Sequence, residues 1–502
     1  MLKILNAQQI KAMDAHTMKH KSIASIDLME RACLAFVQLF VTMFDASKKI
    51  EVICGTGNNG GDGLGIARIL HDWGYPVNVW IVRGPAKETE EFKINLSRIP
   101  EKINISDFLV STMPGSFSSP VLIDAIFGSG LSRPTEGIYE HAIKVINECK
   151  TVRIAVDIPS GLFADKHSTG TIVKADYTIS FQLPKLAFMF PENHQYVGRW
   201  STVDIGLDKS FIKDVVSSYY FLAPKSVKKI LKHRSTFDHK GDYGHGLLIA
   251  GSYGKMGACI LAARASLRAG IGLLTVHIPK SGNSILQSTV PEAMTSMDKN
   301  NEIFSDCPSF ESFTVIGIGP GLGCAEETVI ALKKVMASGK AMVIDADALN
   351  MISAHPPMIQ EIPEGSILTP HPKEFERLVG SWKDDFERLE MQLKFAKETK
   401  SVIILKGAHT SIASPDGTVF FNCTGNPGMA TGGSGDVLTG ILTGLLAQKY
   451  LPKETAILGV YLHGLAGDMA AREKGMNSII ASDLIDFLPA AFKDQLKSSE
   501  LN

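Results

Sequence analysis

From Lys3 to about Asp45 apolar residues recur at i, i+3 and i+4, most regularly through IDLMERACLAFVQLF, so the chain is predicted to open in helix. Short, almost wholly apolar runs then alternate with amphipathic ones. IEVICG, VNVWIV, VLIDAI and RIAVDI read as buried strands. DGLGIARILHDWG, KETEEFKINLSRI and EGIYEHAIKVINECK read as helices between them, the first stopped at Gly74. Two further extended segments, DYTISF and STVDIGL, close this half. Such alternation predicts a parallel sheet with helices on both faces.

A polar, basic stretch, KSVKKILKHR followed by STFDHK, interrupts the pattern between Lys225 and Lys240. A second alternation follows: GLLIAG, a helix from Gly257 to Ala269, then GLLTVHI, FTVIGIG, KAMVIDA, GSILTP, SVIILKG and TVFFN. A glycine-rich loop then opens a long apolar helical tail from Asp436. We therefore place a domain boundary near residue 220 and expect two α/β domains, 1–220 and 221–502, each a three-layer α/β/α sandwich. The halves share no motif order, so they are not an internal repeat.

Composition narrows the function. Over 502 residues, 51 Lys+Arg balance 52 Asp+Glu, which argues against nucleic acid or an anionic membrane as partner. A hydrophobic fraction of 45% is ample for two large cores. The seven cysteines (Cys33, Cys54, Cys149, Cys259, Cys307, Cys324 and Cys423) are scattered, with no CxxC and no zinc spacing, so a reducing compartment is expected. The first residues carry no apolar signal segment, and the most apolar run, Leu34 to Phe44, is too short to span a bilayer. A cytoplasmic location is the expectation.

The first candidate site starts at Gly55-Thr56-Gly57-Asn58-Asn59-Gly60-Gly61-Asp62-Gly63, which follows a predicted strand and contains G-x-G-x-x-G. Glycines there let backbone N–H groups approach a phosphate at a helix N-terminus. The next strand ends Ile81-Val82-Arg83, without the acidic residue that would hold an NAD ribose, so ordinary hydride transfer is disfavoured. Asn58, Asn59 and Asp62 instead put side-chain oxygens among the glycines, as a small cation or a ribose would need. The plain alternative is a tight turn with an aspartate cap. Asp124 and Asp157 both end strands, where a parallel sheet faces its ligand crevice, and small-residue loops follow each of them.

The second candidate is the densest motif in the chain, Asn426-Pro427-Gly428-Met429-Ala430-Thr431-Gly432-Gly433-Ser434-Gly435-Asp436. Glycines and hydroxyls before a long helix make an anion hole from N–H groups and the helix dipole. Asp436 at the helix start can take a proton from a substrate hydroxyl while phosphoryl charge develops beside it. The loop lacks the G-x-x-x-x-G-K-[ST] of a Walker motif. Lys406 and Gly407 end one strand, with Thr410 just after; Gly317 to Gly323 forms a backbone-exposing turn after another. His371 sits between Pro370 and Pro372 after a third, a rigid setting that favours ligand contact. No HExxH or His/Cys cluster suggests zinc.

GTGNNGGDG, DAIFGSGLSRPTEGIY and AVDIPSG closely resemble the amino-terminal domain of the bifunctional NAD(P)H-hydrate repair enzymes, over essentially all of residues 1–220. The resemblance implies a Rossmann-like domain that interconverts the R and S epimers of hydrated reduced nicotinamide. Asn58, Asn59, Gly60, Gly61 and Asp62, with Gly128, Ser129, Gly130, Leu131, Ser132, Arg133 and Pro134, would then cradle the hydrated dinucleotide, which Tyr139 and Asp157 would also touch. Asn59, Asp124 and Ser160 would bind a potassium ion. Asp157 is the candidate acid/base, because epimerisation opens a C–O bond and re-forms it on the other face. Cys33 stands where the family commonly has glycine and reads as a packing change.

From HKGDYGHGLLIAGS through GIGPGLG, VIDADALN, LTPHPKEF and LKGAHT to GNPGMATGGSGDVLTG, the second half is similar to the ribokinase-like dehydratase domain of the same enzymes. By position Ala258, Gly323, His371, Pro372, Lys373, Glu374, Phe375, Glu376, Arg377 and Asp436 would contact the hydrated dinucleotide. Lys406, Gly407, Ala408, His409 and Thr410, with Asn426, Pro427, Gly428, Met429, Ala430, Thr431, Gly432, Gly433, Ser434 and Gly435, would hold ADP or ATP phosphates, with Mg²⁺ sharing the charge. Two positions depart from the family, Ser434 for threonine and Lys373 for glycine. Both activities on one chain favour ADP as donor, and both domain families commonly self-associate, so a homo-oligomer, tetramer or larger, is expected. The competing readings are a hydroxymethylpyrimidine- or hydroxyethylthiazole-type kinase and, for the first half, a non-catalytic ligand-binding module. Retention of Asn59, Asp124, Asp157 and Ser160 together speaks against the latter.

Overall fold

The computed structural model describes residues 1–85, 87–109, 117 and 119–496, with the backbone alone at Lys225. The chain divides into two compact units, Leu2–Ser217 with Asp384–Phe386, and Met1, Ser218–Lys383 and Glu387–Asn502.

The first unit opens with α1 (Ala7–Lys21) and α2 (Ser25–Phe40). The single helical stretch expected from Lys3 to Asp45 is thus two helices. Asn6 and Gln9 form a capping box at the start of α1, and Ser22 ends it in the left-handed conformation (φ 51°). Its sheet strands are β1 (Ile50–Cys54), β2 (Val77–Val82), β3 (Asn104–Phe108), β4 (Val121–Ala125), β5 (Val152–Val156), β6 (Tyr177–Phe181) and β7 (Arg199–Val203). They lie in the order β3-β2-β1-β4-β5-β6-β7, all parallel. The order reverses between β1 and β4, and the crevice at such a switch point is where doubly wound sheets bind ligands. Here α3 (Asn58–Asp72) starts directly after β1, and α4 (Glu90–Ser97) and α5 (Ile138–Glu148) come later in the same unit. Gly55 permits the close approach of the two loops, since a Cβ on it would lie 2.2 Å from the Ile126 carbonyl oxygen.

The second unit is built on a longer sheet. Its strands are β8 (Tyr219–Phe221), β9 (His245–Ile249), β10 (Leu273–Ile278), β11 (Met294–Met297), β12 (Val315–Ile318), β13 (Met342–Ile344), β14 (Ile367–Leu368), β15 (Val402–Leu405), β16 (Ser411–Ala413) and β17 (Val419–Phe421). They run β8-β17-β16-β15-β14-β13-β12-β9-β10-β11. The block from β15 to β11 is parallel, whereas β15, β16 and β17 pair antiparallel, so this sheet is mixed. The apolar tail after the glycine-rich loop is three helices, of which Ser434–Ala447 and Pro452–Lys474 border the site.

Backbone contact between helices aims the first of these. We call Met256–Arg268 α6, Ser434–Ala447 α7 and Pro452–Lys474 α8. Gly440 and Gly444, one turn apart on α7, lie against α6: a Cβ would come within 2.2 Å of the Ala262 carbonyl oxygen and 2.7 Å of that of Ser266. Ser266 Oγ donates to the Gly440 carbonyl at 2.9 Å. This contact fixes the axis of α7 and points its N-terminus past the ends of β13, β14 and β15.

Candidate functional site

A cavity of about 900 Å³ opens at the β1/β4 switch point. Asn58, Asn59 and Asp62 line it from the start of α3, Gly128 to Pro134 from the loop after β4, and Tyr139 and Asp157 from beyond. Two of these residues carry buried donors that have no protein partner among the described residues, Asn59 Nδ2 and Tyr139 OH. An unpaired buried donor is costly, and oxygens of a ligand in this cavity would satisfy both. Gly60 and Gly61, expected in the cradle, do not line the cavity. A Cβ on Gly60 would strike the Gly55 carbonyl oxygen at 1.8 Å, and one on Gly61 the Met29 sulfur at 3.0 Å. Their smallness seats α3 against its surroundings.

Asp157 is buried and left-handed (φ 65°), a strained geometry for a residue with a side chain. Lys185, itself 1% exposed, places Nζ 2.7 Å from Asp157 Oδ1. Phe181 N and Ser180 Oγ also donate to that oxygen, at 3.1 and 3.2 Å. Burial alone would raise the carboxyl's pKa, but the Lys185 ammonium and these hydrogen bonds outweigh it and hold Asp157 below its ordinary range. Two further carboxyls line the same cavity with the opposite tendency. Burial, aided by the charge of Asp157, pushes Asp14 up to about 6 and Asp62 well above the usual carboxylate range. Lys185 and Asp14 were not singled out from the sequence: Lys185 follows a proline in a loop, and Asp14 lies in the middle of a largely polar helix.

Behind the cavity Ser160 donates to Asp124 twice, through Oγ at 2.6 Å and N at 2.8 Å, and Phe127 N donates to Ser160 Oγ at 2.8 Å. Asp124 is fully buried, and burial pushes its carboxyl up to about 6 against these hydrogen bonds. Asn59 Oδ1 faces the same loop, 3.2 Å from where a Cβ on Gly128 would sit. Carboxylate, hydroxyl and amide oxygens around a buried charge fit a hard monovalent cation. Cys33 is buried over Gly65, where a Cβ would lie 2.6 Å from its sulfur, and its thiol donates to the Asp62 carbonyl at 3.3 Å.

The second cavity, about 810 Å³, is lined by His371, Lys406, Gly407, Ala408, Thr410, Asn426, Pro427, Met429, Ala430, Thr431, Ser434 and Gly435 among others. Parallel pairing of β13, β14 and β15 brings Asp345, His371 and Lys406 to one edge. Lys406 Nζ lies 3.0 Å from Asp345 Oδ1 and 3.9 Å from Glu374 Oε2. Burial would lower the ammonium's pKa, but the charges of Asp345 and Glu374 outweigh it and raise it. Gly433 caps α7 with φ 88°, and Asp436 occupies the first helical turn, half-buried. Burial and the Asp345 charge push Asp436 up to about 6, with Lys406 opposing. Gly323 N donates to Asp347 Oδ2 at 2.7 Å, and Ala258 lies against Gly321, where a Cβ would be 3.2 Å from the Ala258 Cβ. Asp347 in turn raises the Asp436 pKa, so these turns reach the same electrostatic neighbourhood.

Several expected contacts fall elsewhere. Phe375 is wholly buried against Trp382 and Phe395 and belongs to the core. Glu374 is buried and accepts from His371 N at 2.8 Å, while His371 Nδ1 accepts from Lys373 N and Glu374 N, a reciprocal cap that fixes the imidazole. Pro372, Lys373, Glu376 and Arg377 are exposed; they do not line this cavity, and neither do Ala258, Gly323, His409, Gly428, Gly432, Gly433 or Asp436, which sits one residue beyond the lining residues Ser434 and Gly435. His409 turns to the Asn422 carbonyl, and Gly428 packs under the Met476 carbonyl. His463, on the apolar α8, lines the cavity and gave no sequence signal; its Nε2 lies 3.0 Å from the Ser434 carbonyl, and burial lowers its pKa to about 4. Asp345 ends a strand as Asp124 and Asp157 do, so the strand-end rule applied to them reaches it too.

A Rossmann-like unit with a polar switch-point cavity and a ribokinase-like unit with an anion-binding helix define a two-domain α/β enzyme of nucleotide metabolism. Residues 246–490 match the family model described as NAD(P)H-hydrate dehydratase, and 25–187 that described as YjeF-related protein N-terminus. The bifunctional NAD(P)H-hydrate repair enzyme Nnr of Moorella thermoacetica is 36% identical over 515 residues, covering 98% of this chain and 97% of that one. That of Escherichia coli is 33% identical over 468 residues, covering 92% and 88%. The crystal structure of ADP/ATP-dependent NAD(P)H-hydrate dehydratase from Bacillus subtilis, co-crystallized with ATP/Mg²⁺, matches with TM-score 0.50 at 33% identity, covering 55% of this chain and 98% of that one. The chain belongs to the bifunctional NAD(P)H-hydrate repair enzymes.

Proposed function

We propose that the two cavities repair hydrated NADH and NADPH in sequence, the first (residues 1–220) interconverting R and S epimers and the second (221–502) dehydrating the S epimer at the expense of ADP or ATP. The observation that carries this reading is Asp436, a carboxylate with a pKa near 6 at the glycine-rich start of α7, beside Lys406. Hydroxide is a poor leaving group at neutral pH, and phosphate is a good one. Asp436 takes the proton of the ring hydroxyl as that oxygen attacks the terminal phosphoryl group, and the shortened nucleotide departs. The ring nitrogen lone pair then expels phosphate from the ring carbon. Loss of a proton from the adjacent carbon restores the double bond of the reduced nicotinamide.

Backbone N–H groups from Asn426 to Gly435, the N-terminus of α7 and Lys406 receive the phosphate charge. His371, locked by Glu374, lines the wall of this cavity. Asp345 and Asp347 would offer carboxylate oxygens to a phosphate-bound Mg²⁺, which would neutralise phosphoryl charge and leave Asp436 as the base.

In the first cavity the environments of the carboxyls divide the acid and base roles. Asp62, whose pKa burial and the Asp157 charge raise well above the usual carboxylate range, gives its proton to the departing hydroxyl, which leaves as water. Asp157, kept ionised by Lys185, orients the ring and accepts a proton from the water that returns on the other face; proton exchange with Asp62 through solvent closes the cycle. Asn59, Asp124 and Ser160 would hold potassium, which would neutralise the buried Asp124 charge and fix the loop after β4. The family resemblance also supports a homo-oligomer, tetramer or larger, which light scattering tests.

The deciding experiment supplies purified S-hydrate with ADP or ATP to wild type and Asp436→Asn. Wild type should regenerate reduced nicotinamide, and the variant should not, while the variant still equilibrates the epimers. Equal loss of both activities would overturn the assignment of Asp436.

A further inference from the structure

We propose that His16, His20 and Asp208 form a binding site for a divalent ion of the zinc class on the first unit, outside the cavity. His16 and His20 are one turn apart on the same face of α1, their rings stacked with centroids 5.5 Å apart and planes at 13°. Asp208 caps the short helix Lys209–Asp214, its Oδ1 accepting from Ser210 N at 2.8 Å and Phe211 N at 3.1 Å. Those bonds fix the carboxylate and leave Oδ2 turned toward α1, 3.0 Å from His20 Nδ1. Asp208 N donates to Thr17 Oγ1 at 3.0 Å, which ties the two elements together. One donor atom from each of the three residues lies within 4.8 Å of the other two; among the described residues this is the only such group of three.

The donor chemistry selects the ion. Two imidazoles and one carboxylate are the set that zinc, cobalt and nickel take, whereas calcium and magnesium prefer oxygen throughout. Four-coordinate zinc spaces its ligand atoms roughly 3.3 Å apart. The His20–Asp208 pair already meets that spacing, and the exposed His20 ring can adjust for the third contact. The ring of His16 also rests against Phe211, centroids 5.1 Å apart, so its orientation is supported from behind. None of the three lines the cavity, but α1 does, through Lys11 and Asp14. An ion bridging α1 to Asp208 would therefore pin the helix that carries those two residues.

The test titrates the untagged, chelator-stripped full chain with Zn²⁺ by calorimetry and with Co²⁺ by visible absorption. The expected result is one equivalent bound with Kd on the order of micromolar and cobalt bands without the strong charge transfer of a thiolate. His20→Ala, at an exposed position, and His16→Ala should each weaken binding at least tenfold, and Cys324→Ser should leave it unchanged. Zinc should also raise the thermal midpoint of wild type but not of His20→Ala. No binding by wild type, or binding unchanged in both histidine variants, would overturn the site. So would cobalt charge transfer abolished by Cys324→Ser.

Discussion

Asp436 and Asp157 carry one functional group into opposite settings. Asp436 is half-buried near other carboxylates, and burial with the Asp345 charge pushes its carboxyl up to about 6; Asp157 is buried against an ammonium that holds its carboxyl below the usual range. The sign of each consequence follows. A carboxyl raised in the folded state stabilises the fold below its unfolded pKa and loses that contribution as pH rises through about 6. Asp436→Asn should therefore be more stable than wild type at pH 7.5, by about 1–2 kcal/mol after allowance for solvent screening, and no different at pH 3. Denaturant melts at the two pH values check this. The rate of dehydration should fall with pH as Asp436 protonates around 6, the ionised form being the base.

Lys185→Met should do the reverse to Asp157, leaving it buried without a cation. We expect a loss of about 3 kcal/mol together with epimerase activity, and a smaller stability loss in the double variant with Asp157→Asn. The two strand-end aspartates of the first unit were legible because their position at the end of an apolar run faces a crevice by topology alone. The ion pair was not, since nothing local in FQLPKLAF distinguishes a buried lysine from a solvated one.

At the scale of elements, the helix interface that aims α7 depends on the absence of side chains at Gly440 and Gly444. Gly440→Ala puts a methyl group 2.2 Å from a backbone carbonyl oxygen that cannot step aside. It should lower stability by about 2 kcal/mol or more and reduce dehydration with little effect on epimer exchange, measurable by thermal melts and parallel assays. The interior strands were readable from their apolar runs. The edge strands β3 and β11 were not, because NISDF and MTSM bury too little to show a pattern. The break at Ser22 was hidden for another reason: apolar periodicity continues across it, and only the backbone reversal separates α1 from α2. The burial of Phe375 and the close packing of Gly60 were not readable, because motif position identifies a loop, while the facing of each side chain is settled by packing.

At the scale of the molecule, the near-neutral charge, the switch-point cavity of the first unit, the glycine-loop cavity of the second and the family relationship along nearly the whole chain converge on a small-molecule enzyme. No described helix is long and apolar enough to cross a membrane. The activities should separate cleanly by residue. With mixed epimers, Asp157→Asn should convert the S fraction at the wild-type rate and then slow to spontaneous epimerisation. Replacing potassium with lithium should slow epimer exchange more than tenfold, because the oxygens of Asn59, Asp124 and Ser160 would then surround too small an ion.

The most direct measurement follows reduced-nicotinamide absorbance and inorganic phosphate together, as wild type consumes mixed hydrate epimers with ADP or ATP in potassium buffer. Departure of water as phosphate predicts one phosphate released for each reduced nicotinamide recovered, with both epimers consumed. A stable phosphorylated product accumulating without recovery of absorbance would make the second unit a kinase and contradict the account.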